Sequence, residues 1–261
     1  MRKTILTISL ALMMAFTSLV TSGAEETKVT GSASIGVFNK YIFRGYELSS
    51  GSAVIQPALR VSYSGFSASF WGNIDSNETA TQSFAPDRED KKSFNETDIT
   101  LSYTYPIGKL SLTGGYVYYG TKYVTETEEV FATVAYDMLL KPTLSVYRDV
   151  TSYPGTYVNL AIAHSIGLGK DISLDLAASA GYFAGDDDCF KTEGGTGKKY
   201  SAFHDGMVKA GLSIPVFKNT ILQPNVQYWF SLSDDAKRHG YNPSGHLDET
   251  VVVGLNLTAT F

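Results

Sequence analysis

From residue 28 onward the chain alternates. About twelve segments of 8–14 residues place apolar side chains at every second position, roughly at 28–39, 52–64, 65–75, 94–106, 109–120, 128–139, 142–149, 155–167, 171–183, 205–216, 220–232 and 249–261. A period of two means a β-strand, because successive side chains leave opposite faces of the pleat. No helical period of 3.6 rises above this pattern in residues 25–261. The last segment is the clearest: Val251, Val253, Leu255, Leu257, Ala259 and Phe261 alternate with Val252, Gly254, Asn256, Thr258 and Thr260.

The connections sort by parity. Stretches 40–51, 76–93, 121–127, 150–154, 184–204 and 233–248 are long or polar. Between them fall tight corners at Ser64-Gly65, Ile107-Gly108, Leu140-Lys141, Leu168-Gly169-Lys170 and Phe217-Lys218-Asn219. Short turns at one end and long loops at the other, with an even strand number, are the habit of bacterial outer-membrane barrels. A soluble sandwich has no reason to keep all its short turns on one side.

Face polarity agrees. In 94–106 one face is Ile99, Leu101, Tyr103 and Tyr105, and the other is Asp98, Thr100, Ser102 and Thr104. In 220–232 Leu222, Pro224, Val226, Tyr228 and Phe230 oppose Gln223, Asn225 and Gln227, with Trp229 on the polar side. Charges and amides on one face of strand after strand are costly to bury without partners. They belong around a wet lumen, with the apolar set toward lipid. The expected fold is all-β: a transmembrane antiparallel up-and-down β-barrel of about twelve strands. Pro57 and Pro224 sit mid-strand, where each removes a ladder donor, so local bulges are expected there.

The N-terminus reads as a secretory leader. Arg2 and Lys3 precede an apolar run, Ile5 to Val20, which ends in Thr21-Ser22-Gly23-Ala24. Residues 1–24 are expected to be a cleaved signal peptide and 25–261 the barrel. Losing two positive and no negative charges takes the formal charge from −5 to −7, which does not suit nucleic acid. The 17 Tyr and 14 Phe suit interfacial girdles. Cys189 is a lone cysteine, read as a spare residue.

Residues 31–75 carry a resemblance. Ser32-Ala33-Ser34-Ile35-Gly36-Val37 leads to Tyr41-Ile42-Phe43-Arg44-Gly45, then Gly65-Phe66 and Phe70-Trp71-Gly72-Asn73-Ile74-Asp75. An aromatic-Arg-Gly step, a Gly-Phe hairpin and a Trp-Gly-x-x-Asp strand resemble the opening of the outer-membrane family known as TorF-type porins, or Gcw-type conserved hypothetical proteins. The resemblance implies a barrel and a pore, and brings no substrate with it.

The strand register supplies candidate residues. Arg60, Asp98, Asp137, Asp175, Lys209 and Gln227 fall on the polar face and are expected to line the pore. Arg44, Trp71, Asp75 and Asp149 are expected at the mouth. Arg44 is expected to end the first ascending strand, and with Asp75 it could tie the first loop to the wall. The lumen mixture is slightly acidic, so a weak cation preference, or none, is expected. These charges could equally pair and plug a twelve-stranded bore.

No metal or cofactor is expected. Asp186-Asp187-Asp188 lacks the spacing of a calcium loop, and His204, His239 and His246 read as loop residues. His164 and Ser165 are adjacent and point to opposite faces, and no Gly-x-Ser-x-Gly elbow is present, so no enzyme is expected. The expected function is an outer-membrane channel for passive diffusion of small hydrophilic solutes or ions. The rival is a non-conducting barrel that acts through its loops as an adhesin or binding protein. Expected partners are outer-membrane lipid, the solutes, and the barrel-assembly machinery through the strand ending in Phe261.

Overall fold

The structure is a computed structural model and describes residues 28–49, 52–78, 91–122, 124–186, 199–239 and 249–261. The leader segment, Cys189, Asp187, Asp188 and His246 lie outside these residues.

Twelve strands close into one antiparallel barrel. In chain order these are β1 (Thr30–Phe38), β4 (Val54–Tyr63), β5 (Phe66–Glu78), β6 (Lys91–Ile107), β7 (Leu110–Thr121), β8 (Thr127–Tyr136), β9 (Thr143–Asp149), β10 (Gly155–Gly169), β11 (Ile172–Gly185), β12 (Ser201–Phe217), β13 (Thr220–Ser231) and β14 (Thr250–Thr260). Two short strands, β2 (Tyr41–Phe43) and β3 (Tyr46–Ser49), form a separate hairpin inside the first long connection. A short helix, α1 (Asp234–His239), follows β13.

Each strand pairs with its sequence neighbour except at the seam, where β1 meets β14 with Val37 opposite Leu255 and Ile35 opposite Leu257. Closure leaves no edge, which lets strands cross lipid without unpaired backbone groups. At the foot of the seam Gly31 and Phe261 exchange both backbone hydrogen bonds, at 2.8 and 3.0 Å. The short turns take the conformation their sequence permits: Ser64 and Gly65 both have positive φ, as a two-residue primed hairpin requires.

Apolar side chains face outward. Ile35, Leu59, Ile99, Leu101, Val134, Leu160, Val226, Leu255 and Leu257 are exposed on the barrel's outside. Tyr63, Phe66, Tyr103, Tyr105, Tyr136 and Phe217 are exposed near the short-turn end, where the tyrosines, with an apolar ring and a polar hydroxyl, favour an interface.

The expected bulges at the prolines are not there. Ile35 pairs with Pro57, and Leu255 with Pro224, in unbroken register. The ladder instead skips Gln56 and Pro57 toward β5, and Gln223 and Pro224 toward β12, with no residue inserted. Proline lacks an N–H, but its fixed φ remains compatible with extended backbone, so one missing bond is enough. Register shifts occur elsewhere, as at Gly167/Gly169 and Asn73/Ile74.

Burial is uneven along the barrel axis. The buried side chains, including Tyr41, Tyr46, Asp75, Glu129, Asp149, Tyr157, His204 and Asp205, lie mostly in the hairpin, in the long connections or in the strand halves that lead to them. Asn225 sits at the middle of β13. The other halves hold half-buried hydroxyls. The molecule packs its interior at one end only.

Candidate functional site

The β2–β3 hairpin forms the packed end. Arg44 and Gly45 at its tip have φ of 49° and 83°. Two consecutive positive-φ residues make a primed turn, which glycine takes without strain. Arg44 therefore does not end the first ascending strand as expected. That strand stops at Phe38, and the tip side chain is carried inward on its own hairpin.

The tip is tied to the wall opposite. Both terminal nitrogens of Arg44 donate to the two carboxylate oxygens of Glu129 on β8, each at 2.7 Å. The pair is nearly dry, with side chains 11% and 6% exposed. A planar guanidinium matches a carboxylate in this two-pronged way, which fixes orientation as well as charge. The same guanidinium lies over the rings of Tyr157, Tyr147 and Phe43, at 4.4, 5.0 and 4.8 Å. Tyr119 adds a hydrogen bond to Glu129 at 2.8 Å.

Glu129, not Asp75, is thus the partner of Arg44. Asp75 is fully buried on β5 and accepts from the backbone N–H of Asn77 at 3.0 Å. Asp149 closes β9 in a similar role, accepting from Thr127 and from the backbone of Thr151 and Tyr153. Both are loop anchors, because a short carboxylate at a strand end reaches its own backbone two residues on.

Further contacts fix the rest of the hairpin. Lys40 donates to Glu47 at 3.0 Å and to Thr250 at 2.8 Å. Tyr41 donates to Glu96 at 3.2 Å and packs on Trp71, ring centres 5.3 Å apart. Burial, together with the carboxylates of Glu96 and Asp98, pushes the Tyr41 phenol well above its ordinary pKa. It therefore stays a donor throughout the neutral range. Tyr46 packs against Ala236 of α1 and against His204, whose Nδ1 meets the Tyr200 hydroxyl at 2.7 Å. His204 is not a loop residue as expected; it lies buried within β12. Strand β12 runs 17 residues, longer than its alternating core suggests.

The expected lumen residues fall into four settings. Asp98 stands at hairpin level opposite Trp71 in the ladder. Lys209 and Gln227 are ladder partners, and Gln227 accepts from the Trp229 indole at 3.0 Å. Arg60 and Asp175 lie nearer the short turns among hydroxyls: Arg60 donates to Ser67, while Asp175 accepts from Ser165, Ser173 and Ser213 at 2.5–3.1 Å. Asp137 is exposed in the turn one residue beyond β8, at the rim rather than in the bore. Arg148, exposed outside, pairs with Asp186.

Glu96, Glu129, Tyr119, Tyr147, Tyr157 and Asp205 were missed by the sequence reading. Glu129 and Tyr147 share a face with Phe131 and Ser145 in 128–139 and 142–149, so their inward direction was legible. Their common target was not, because it lies far away in sequence, at Arg44.

Among the described residues, two cavities lie beside the tip. One, of about 300 Å³, is lined by Phe38, Lys40, Tyr41, Trp71, Asp98 and Gln227 among others. The second, of about 280 Å³, lies by Arg44, Tyr119, Tyr157, Asn159 and Trp229. Phe43 borders both.

A closed twelve-strand barrel, apolar outside and polar within, has the architecture of an outer-membrane β-barrel protein. Its backbone is similar to that of the COG4313 outer membrane channel from Pseudomonas putida F1, with a TM-score of 0.56 at 10% identity, covering 93% of this chain and 100% of that one. It is also similar to the NanC porin, at 0.50 and 10%, covering 89% and 99%. At such identity the likeness speaks for the fold. None of the curated proteins matches in sequence. The profile of the family described as "bacterial protein of unknown function (Gcw_chp)" matches residues 22–193, and the chain belongs to that family.

Proposed function

We propose that the barrel is a passive channel for small hydrophilic solutes or ions, narrowed at its outer end by the β2–β3 hairpin. The observation that carries this reading is the asymmetry of the interior. Half-buried Ser67, Ser102, Thr104, Thr113, Thr133 and Ser173, with Arg60 and Asp175, make a wettable wall leading from the short turns toward the hairpin. Closely packed apolar side chains would fill that space in a barrel meant to be sealed throughout. In this role Arg60, Asp98, Asp175, Lys209 and Gln227 line the passage, Asp137 stands at its inner rim, and Arg44, Trp71, Asp75 and Asp149 set the entrance. Residues 1–24 serve as the export signal, and the strand ending in Phe261 is what the assembly machinery engages. Chemistry is not part of this role: Ser165 donates to Asp175 inside, while His164 Nδ1 meets the Leu139 carbonyl on the other face.

The dry Arg44–Glu129 tie favours one rival, a barrel held shut that acts through its outer loops. Recording purified protein in planar bilayers, with liposome swelling in small sugars, separates the two. Stepwise conductance with swelling supports the channel; silence in both at every salt concentration overturns it.

A further inference from the structure

The carboxylates at hairpin level are not equivalent. Glu129 holds Arg44 and Tyr119, and Glu96 holds Tyr41. Asp98 lies two residues from Glu96 on the same face of β6, and its Oδ1 is buried with no hydrogen-bond partner among the described residues. A buried carboxylate oxygen without a donor is costly, and Asp98 also lines the cavity beside it.

The cavity beside Asp98 indicates which group. Phe38, Tyr41, Phe43 and Trp71 contribute rings, and Gln56 and Gln227 contribute amides. Tyr41 and Trp71 meet at 49°, so they present two faces at an angle to one another. Ring faces attract cations, most strongly where water is thinned. Lys40 also lines this cavity, but its ammonium is already held by Glu47 and Thr250. A volume of about 300 Å³ is at the lower end for small-molecule sites. A neutral sugar would stack on Trp71 equally well, yet would bring no positive charge to the Asp98 carboxyl.

We propose that this cavity binds a small organic ammonium ion, with Asp98 as counter-ion and acceptor, the rings of Tyr41, Phe43 and Trp71 around the charge, and Gln56 and Gln227 for a further polar group. It deepens the channel reading by naming a solute class at the entrance, and rests on that reading only for the claim that the ion goes through.

Ethanolamine at neutral pH, where it is protonated, is the first probe, titrated by calorimetry into detergent-solubilised full-length protein. Fluorescence of Trp71 in a Trp229→Phe background reports the same event at the cavity. Choline, which lacks an N–H, and glucose, which lacks charge, are the comparison arms. Saturable ethanolamine binding that perturbs Trp71 and weakens at least about tenfold in Asp98→Asn supports the site. Trp71→Leu is the second variant should Asp98→Asn fail to assemble, and it weakens binding likewise. No binding, binding unchanged in assembled variants, or tighter binding of glucose overturns it. Conductance is recorded separately in KCl, so that binding without conductance sinks the channel and conductance without binding sinks the site.

Discussion

Arg44 and Glu129 face each other as two parallel hydrogen bonds of 2.7 Å, one partner at the tip of an inward hairpin and the other on the barrel wall. The contact joins residues 85 apart in sequence and sits beneath three aromatic rings. It ties the tip of the hairpin in the first long connection to the wall at β8.

Removing one member leaves the other charged and dry. Arg44→Ala or Glu129→Gln should cost about 3–5 kcal/mol of hairpin docking, while replacing both by Met should recover most of it. In planar bilayers each single variant should show a larger and noisier open conductance. Traces identical to wild type would refute the latch.

Neighbouring residues on β6 test the assignment of faces. Leu101 is exposed to the outside and Ser102 faces inward. Leu101→Arg should lower stability by about 2–4 kcal/mol, the cost of a cation near the bilayer midplane. Ser102→Arg should cost little and shift selectivity toward anions, read as a change in reversal potential across a KCl gradient. Equal destabilisation would mean that the register is wrong.

The seam between first and last strands depends on glycine. A Cβ at Gly254 would fall on the Phe38 ring, and one at Gly36 would come within 2.5 Å of the same ring. Phe38 thus covers the bare backbone of two paired strands. Gly254→Ala should overpack this spot by about 1–3 kcal/mol and lower the temperature at which the barrel loses its compact gel mobility.

Asp175 is the carboxylate of the inner half, held by three serines. Asp175→Asn keeps the shape and removes one negative charge from a wall that also carries Arg60 and Lys209. The cation-to-anion permeability ratio should fall, while single-channel conductance changes little. A ratio that does not move would place Asp175 away from the ion path.

The hairpin shows where reading the chain alone came up short. Tyr41-Ile42-Phe43-Arg44-Gly45 was visible as an aromatic-Arg-Gly step, and an Arg-Gly pair suits a tight turn. A three-residue strand carries too little alternation to separate it from the end of β1. Nor does alternation say that a segment leaves the wall and crosses the bore. His204 was hidden for a related reason: β12 extends past its apolar alternation, because its upper part packs against the hairpin rather than lipid.

The wall followed from sequence. Lipid on one side and water on the other impose a two-residue period on every strand, and the alternation of tight and long connections orients the barrel; both are local and can be counted along the chain. Which carboxylate Arg44 grips, and which one is left without a donor beside Trp71, came only from the folded barrel. Those relations join residues from different strands across the lumen, and their distances depend on strand number, tilt and closure together.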